Sequence, residues 1–150
     1  MTIRQLSASD TYPLRHAVLR KGRPLEDCAF DSDDLRTTVH IGSYLESTLV
    51  GVASFMLDKD NSISLLKNID KKHCYQLRGM AVLEQLQGHH VGTRLLQYGE
   101  QLLREKDCNH LWFNARELAV PFYHKLGYTI VSDIFEIISV GKHCKMYKAL

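Results

Sequence analysis

The sequence has few features of a membrane, secreted or nucleic-acid-binding protein. No apolar run approaches the roughly 18 residues that a membrane-spanning helix needs, and the N-terminal segment is too polar for a secretion signal. The formal net charge at pH 7 is only +2, whereas nucleic-acid-binding domains usually carry a strongly basic face. We therefore expect a cytoplasmic protein that binds neither membranes nor nucleic acids.

Cysteine pairs and metal-ligand motifs are also missing. The four cysteines are far apart without a C-x-x-C pair, and none of the eight histidines belongs to an H-E-x-x-H motif. A chain of 150 residues buries about two-thirds of its unfolded surface and does not need a disulfide to fold. The prediction is reduced thiols, no metal site and a single domain over residues 1–150.

Hydrophobic periodicity predicts an α/β protein, and no internal repeat or linker interrupts it. The predicted strands are 2–6, 37–46, 48–57, 73–82, 109–115, 128–131 and 144–148. Helices are expected at about 10–20, after the turn at 87–92 and at 117–126. The order βαβββαβαββ is typical of a mixed sheet with helices on its faces.

The most informative segment is a glycine-containing turn between a strand and a helix. An apolar strand ending at Val82 is followed by the turn QGHHVG at 87–92 and an amphipathic helix. The first N–H groups of a helix have no intrahelical partner, and the helix N-terminus carries partial positive charge. Glycine also lets the backbone approach an anion closely. The turn therefore predicts a phosphate-bearing ligand.

Two common nucleotide-binding loops do not match this turn. A Walker A loop needs G-x-x-x-x-G-K-[ST], which is absent from the chain. A Rossmann loop needs G-x-G-x-x-G after the first strand of a βαβ unit, but Gly88 and Gly92 lie four residues apart in mid-chain. The phosphate-bearing ligand is therefore not predicted to be a nucleotide held by either of these loops.

Two sequence blocks and the element order resemble the GNAT superfamily of acyl-CoA-dependent N-acyltransferases. Residues 87–92 are similar to its Q/R-x-x-G-x-G/A pattern, and residues 119–128, AVPFYHKLGY, look like its A-x-x-F-Y-x-K-x-G-F/Y helix. One departure is His90, which stands where the pattern has its middle glycine. The resemblance implies a mostly antiparallel central sheet with helices on both faces, the fold of this superfamily.

The resemblance also implies a binding site for acetyl-CoA, which would act as the co-substrate. The turn would hold the pyrophosphate through its backbone amides, and the pantetheine arm would pair with the strand before it. The implied contacts are Met80, Ala81, Val82, Gln87, Gly88, His89, His90, Val91, Gly92, Thr93, Asn114, Phe122 and Tyr123. Asn114 alternatively caps the end of its strand, and Phe122 alternatively packs its helix on the sheet.

Amide formation needs a proton for the departing thiolate and a base for the attacking amine. The resemblance makes Tyr123 the candidate acid; its alternative role is packing. Gln76 stands near the position where some relatives carry a glutamate base, and it cannot take a proton. The base is therefore open between His143, which comes first, and Glu136, Asp133 and His73.

The predicted function is transfer of an acetyl group to the primary amine of a small molecule. Gln76 and Arg78 are candidate acceptor-binding residues, although Arg78 could equally pair with a carboxylate of the chain. One alternative is acetylation of proteins or peptides, which a cluster of acidic residues slightly favours: Glu26, Asp27, Asp31, Asp33 and Asp34. Another is a non-catalytic acyl-CoA-binding module. The resemblance also leaves a homodimer open.

Overall fold

The computed structural model describes residues 1–58 and 74–150, which form a mixed α/β fold with a mostly antiparallel open sheet. The described residues group into two compact units, Met1–Met56 with Leu77–Leu102, and residues 57–58 and 74–76 with Leu103–Leu150. The strands are β1 Thr2–Gln5, β2 Val39–Leu45, β3 Thr48–Leu57, β4 Cys74–Val82, β5 His110–Arg116, β6 Thr129–Ile130, β7 Phe135–Ile137 and β8 Gly141–Ala149. The helices are α1 Ala8–Leu19, α2 Val91–Arg104 and α3 Val120–Lys125.

In the first unit, the strands follow one another in the order β1-β2-β3-β4. The β2–β3 hairpin is antiparallel and turns through Glu46 and Ser47, as predicted. Glu46 has a φ of +55°, the left-handed conformation that tight hairpin turns require. In this order the second half of β4 is the last strand of the unit, next to β3.

Helix α1 begins where the sequence offers capping residues. Ser7 is the N-cap, and its side chain and that of Asp10 each bond the other's backbone N–H as a capping box. Leu14 packs with Val52 and Ala81 in a buried cluster. Local capping therefore sets the start of α1, and burial of Leu14 holds the helix on the sheet.

Helix α2 lies directly against β3. Leu95 and Leu96 are fully buried, and a side chain on Gly99 would collide with the buried ring of Phe55. The absence of a Cβ at Gly99 therefore permits this close approach of helix and strand. The contact fixes the helix axis and thus the position of its N-terminus.

The second unit is built around β8. Strand β4 pairs in parallel with β5 over Cys74–Gln76, and β8 pairs antiparallel with β5, β6 and β7. The indole N–H of Trp112 donates to Asp58 Oδ2 over 2.8 Å in its core. Burial, and secondarily the Asp58 carboxylate, raises the pKa of the neighbouring Cys74 thiol to about 12. Cys74, like Cys28, Cys108 and Cys144, is a buried free thiol.

The fold class is confirmed, with three differences at the C-terminal end. Strand β7 is absent from the predicted order, and β8 begins at Gly141 rather than at 144. The predicted helix 117–126 is a 3₁₀ turn, Glu117–Ala119, followed by α3. Pro121 in the first turn of α3 explains its start, because proline is favoured there and lacks only an N–H that would be unpaired.

The described residues do not test two of the predictions. The single domain over residues 1–150 remains a prediction, and His73 lies outside the described residues. None of the helices within residues 1–58 and 74–150 is long and apolar enough to cross a bilayer.

Candidate functional site

The turn between β4 and α2 adopts the backbone geometry of a glycine-rich loop, even at His90. Gly88 has a φ of +79° and His90 a φ of +61°, both in the left-handed region. Glycine enters this region freely, whereas other residues do so at a cost, and histidine is among those found there more often. His90, which stands at the middle glycine of the family pattern, thus adopts a conformation that glycine enters freely.

This conformation leaves a row of backbone donors at the start of α2. The first intrahelical bond runs from Arg94 N–H to His90 O over 3.0 Å. Within the residues that the structure describes, the N–H groups of Gly88 and of residues 90–93 donate to no other residue. Unpaired N–H groups at the positive end of a 14-residue helix are able to bind an anion.

Two side chains of the turn hold it in place. Gln87 Nε2 donates to Val82 O over 3.1 Å, which ties the turn to the end of β4. His89 Nδ1 lies 3.1 Å from Gln87 O, and this nitrogen must carry the proton because a carbonyl only accepts. The backbone of the turn, rather than these side chains, is therefore what it offers to a ligand.

In the second unit, Tyr123 belongs to an aromatic cluster on α3 and β5. Its ring centroid lies 4.2 Å from that of Phe113, 4.9 Å from that of Phe122 and 6.1 Å from that of Tyr128. Burial raises the pKa of the Tyr123 phenol to about 12, although the positive charge of Arg116 opposes this. The phenol therefore keeps its proton at neutral pH, as a general acid must.

His143 lies at a cavity of about 210 Å³ in the same unit. The residue is 4% exposed, and its Nδ1 lies 2.7 Å from Gly141 O. Because the carbonyl only accepts, Nδ1 carries the proton and a neutral ring has its lone pair on Nε2. The cavity is otherwise lined by Glu117, Val120, Pro121, Ile130, Ile134 and Cys144. An oriented Nε2 beside a largely apolar cavity is able to accept a proton.

The other candidate side chains are less constrained. Asn114 is exposed on β5 and forms no hydrogen bond through its side chain within the described part of the chain. Gln76 is half-buried on β4 opposite Trp112. Glu136 and Asp133 are exposed, so neither has the oriented setting of His143.

The structure also contains a buried polar network that the sequence did not predict. Arg15, fully buried on α1, donates to both carboxylate oxygens of Asp33 over 2.7 and 3.0 Å and to Ser54 Oγ over 2.7 Å. His40 Nδ1 lies 2.6 Å from the same Ser54 oxygen, and its Nε2 lies 2.9 Å from Asp33 O. These partners are up to 39 residues apart in sequence, so no local pattern could reveal them.

This network uses part of the acidic cluster at 26–34, which the sequence left open as an acceptor-binding surface. Asp33 is buried and paired with Arg15, while Asp27 pairs with Arg23 over 2.9 Å at the surface. Two of its five carboxylates thus already have cationic partners. No group of three His, Cys, Asp or Glu residues within 1–58 and 74–150 is arranged to hold a metal ion.

Comparisons with known proteins agree with this geometry. The model of the acetyltransferase (GNAT) family matches residues 3–128. A relative in Bacillus subtilis (strain 168), the uncharacterized N-acetyltransferase YitI, is 33% identical over 150 residues, which cover 100% of this chain and 97% of YitI.

Solved structures share the fold. An aminoglycoside 6'-N-acetyltransferase complexed with coenzyme A has a TM-score of 0.77 at 14% identity, over 99% of this chain and 97% of that one. Escherichia coli ElaA has a TM-score of 0.74 at 19% identity, over 98% of each chain. The chain belongs to the GNAT acetyltransferase family. It is an acetyl-CoA-dependent N-acetyltransferase, and acetyl-CoA is its co-substrate.

Proposed function

We propose that the protein transfers the acetyl group of acetyl-CoA to the primary amine of a small molecule. The observation that carries the donor half of this proposal is the row of unpaired N–H groups at Gly88 and residues 90–93. These donors fit a pyrophosphate, because a helix N-terminus binds anions through its backbone amides and its dipole.

The remaining donor contacts follow the family resemblance. The strand segment Met80, Ala81 and Val82 would pair with the pantetheine arm as an added β-strand does. Gln87, His89 and Thr93 would support the pyrophosphate from the turn, and Asn114 and Phe122 would contact the pantetheine. The exposed side chain of Asn114 supports this role, because its amide is available to hydrogen-bond a ligand.

The reaction needs one group that donates a proton and one that accepts a proton. The amine nitrogen forms a bond to the carbonyl carbon of the thioester while the carbon–sulfur bond breaks, so the nitrogen loses a proton and the sulfur gains one. Tyr123 would supply the proton to the sulfur, since its raised pKa keeps the phenol protonated over the physiological range. The amine proton needs a separate acceptor.

His143 is the base that the geometry favours. Its bond to Gly141 O leaves Nε2 as the proton-accepting atom. It lies at a cavity beside nonpolar side chains such as Ile134 and Val120, where an acceptor amine could reach it. The exposed Glu136 and Asp133 lack such orientation.

A small amine is favoured over a protein acceptor by the state of the acidic cluster. An open acidic groove would suit a protein or peptide acceptor, but two of the five carboxylates of the cluster are already paired, Asp33 with Arg15 and Asp27 with Arg23. The homodimer and the cytoplasmic location stay predictions; analytical ultracentrifugation of the purified protein tests the first, and cell fractionation tests the second.

Two measurements test the proposed function. Acetyl-CoA should raise the melting temperature, since a ligand that binds only the folded state stabilises it. Thiol release from acetyl-CoA should then depend on the presence of a small primary amine. A melting temperature that does not change at millimolar acetyl-CoA contradicts the donor site, and release only with peptide substrates contradicts the small acceptor.

A further inference from the structure

We infer that the acceptor carries a carboxylate and that Arg78 binds it. This inference rests on the proposed function, because it concerns the amine that receives the acetyl group. It starts from a half-buried cation on β4 that has an aromatic neighbour but no acidic partner among the residues that the structure describes.

The contacts of Arg78 are unusual for a partly buried arginine. Its guanidinium carbon lies 4.2 Å from the ring centroid of Phe30. No carboxylate within residues 1–58 and 74–150 lies within 4.0 Å of its nitrogens, whereas Arg15 and Arg23 each have such a partner. Removing a charge from water without a counterion is costly, and the lowered pKa of Arg78, caused first by burial and then by Arg15, reflects that cost.

Two carboxylates, Asp33 and Asp31, act electrostatically on Arg78, but neither forms an ion pair with it; Asp31 is exposed, and Asp33 is already engaged. Asp33 receives two hydrogen bonds from Arg15, over 2.7 and 3.0 Å, and a third from the backbone N–H of Phe30 over 2.8 Å. Arg15 also lies 4.2 Å from the centroid of the Phe30 ring. One ring thus contacts two guanidinium groups, of which one is neutralised by Asp33 and the other is not.

The backbone next to Arg78 holds this arrangement rigidly. Gly79 has a φ of +60°, and a Cβ there would lie 2.7 Å from Arg15 Nε and 2.8 Å from the Phe30 ring. Only glycine permits this packing, so the backbone of β4 next to Arg78 lies directly against the buried Arg15 and the partly buried Phe30 ring. Stacking on Phe30 also restricts the guanidinium, which lowers the entropy cost of binding a ligand.

A carboxylate is the group that a single guanidinium with restricted motion recognises best. The planar fork of arginine matches two carboxylate oxygens with parallel N–H···O bonds. Arg78 lies two residues before Met80, the start of the segment proposed to pair with pantetheine. A carboxylate held by Arg78 would therefore anchor the acceptor on the same strand that carries the donor.

The test compares amines that differ only in a carboxylate. Thiol release is measured with 4-aminobutyrate against propylamine, lysine against cadaverine, and phenylalanine against phenethylamine. For at least one pair we expect kcat/KM to be about tenfold or more higher for the carboxylated member, which corresponds to roughly 1.4 kcal/mol. In Arg78→Gln this preference should disappear while the KM for acetyl-CoA stays unchanged.

Two further variants separate binding from folding. Arg78→Lys keeps the charge but loses the planar fork, so it should recover part of the preference if Arg78 binds the carboxylate. Arg4→Gln is the matched control, since Arg4 is also stacked on an aromatic ring, 4.2 Å from the centroid of Tyr44. That control should keep the full preference of the unmodified protein.

The outcomes distinguish the inference from the function on which it rests. Stabilisation by acetyl-CoA together with an equal or higher rate for every amine that lacks the carboxylate overturns the inference alone. So does an Arg78→Gln variant that folds and keeps the preference. A protein that neither binds acetyl-CoA nor releases thiol with any amine contradicts the proposed function, and the inference then fails with it.

Discussion

The left-handed backbone at His90 leads to a quantitative prediction about the stability of the turn. His89 and His90 are adjacent, exposed histidines in the same turn, but only His90 has a positive φ, of +61°. Replacing each histidine by alanine and by glycine gives four variants. The comparison of alanine with glycine at each position removes any side-chain contribution, including the His89 bond to Gln87 O.

The expected free energies follow from two opposing backbone terms. Glycine is usually less stabilising than alanine in ordered backbone by roughly 0.5–1 kcal/mol, because it loses more conformational freedom on folding. An L-residue in the left-handed region costs roughly 1–2 kcal/mol, which glycine avoids. At position 89 glycine should therefore be about 0.5–1 kcal/mol less stable than alanine. At position 90 it should be equal to alanine or more stable by up to about 1.5 kcal/mol.

Urea denaturation of the four variants measures these differences. The free energy of unfolding is extrapolated to water for each variant, and the alanine-to-glycine change at position 89 is subtracted from that at position 90. We expect the result to favour glycine at position 90 by about 1–2 kcal/mol, which is the cost of the left-handed conformation. Equal changes at the two positions would refute the assigned backbone geometry.

The remaining predictions concern catalysis, the donor site and alkaline pH. Tyr123→Phe should lower kcat by about 100-fold or more and leave acetyl-CoA affinity near normal, as stopped-assay kinetics and titration calorimetry would show; unchanged kcat would remove Tyr123 from the reaction. Gly92→Asp, which places a negative charge in the first turn of α2, should weaken acetyl-CoA binding about tenfold or more, since it repels the pyrophosphate. Gln97→Asp adds the same charge at an exposed site farther along α2 and should bind normally, so equal effects of the two variants would contradict the phosphate site. Above pH 9 the melting temperature should fall, because folding raises the pKa of Cys74 and of Tyr123 to about 12 and the unfolded chain therefore loses these protons first. Calorimetry between pH 8 and about 11.5 checks this, and a flat profile would contradict the burial of both groups.

The parts of the fold that depend on local patterns were predictable from the sequence. Strand β3, Thr48–Leu57, was predicted with its observed bounds, since it alternates well and ends next to a two-residue turn. The helix predicted at about 10–20 is observed at Ala8–Leu19, where Ser7 and Asp10 form a capping box, and α3 ends shortly before Gly127, whose φ is +88°. In each case the residues that decide the structure are neighbours in the chain.

The parts that depend on distant partners were not predictable. Arg15 pairs with Asp33 across 18 positions, and Arg78 stacks on Phe30, which lies on a different segment. Neither contact produces a repeating pattern in the sequence, because each involves only one residue from each segment. The short strand β7 was missed for a related reason, since its three residues are stabilised by pairing with β8 rather than by a pattern of their own.

His90 shows why the donor site was easier to predict than the acceptor site. The family pattern has a glycine where this chain has His90, and the φ of His90 is positive, in the region that glycine enters freely. A CoA site made of main-chain N–H groups therefore tolerates changes of side chain and keeps a recognisable spacing. In the proposal made here, acceptor recognition depends instead on a single side chain, Arg78, and its role is inferred from the residues that surround it in space. The donor can accordingly be inferred from spacing in one sequence, whereas the proposed acceptor class rests on the contacts of Arg78 and the paired state of Asp33.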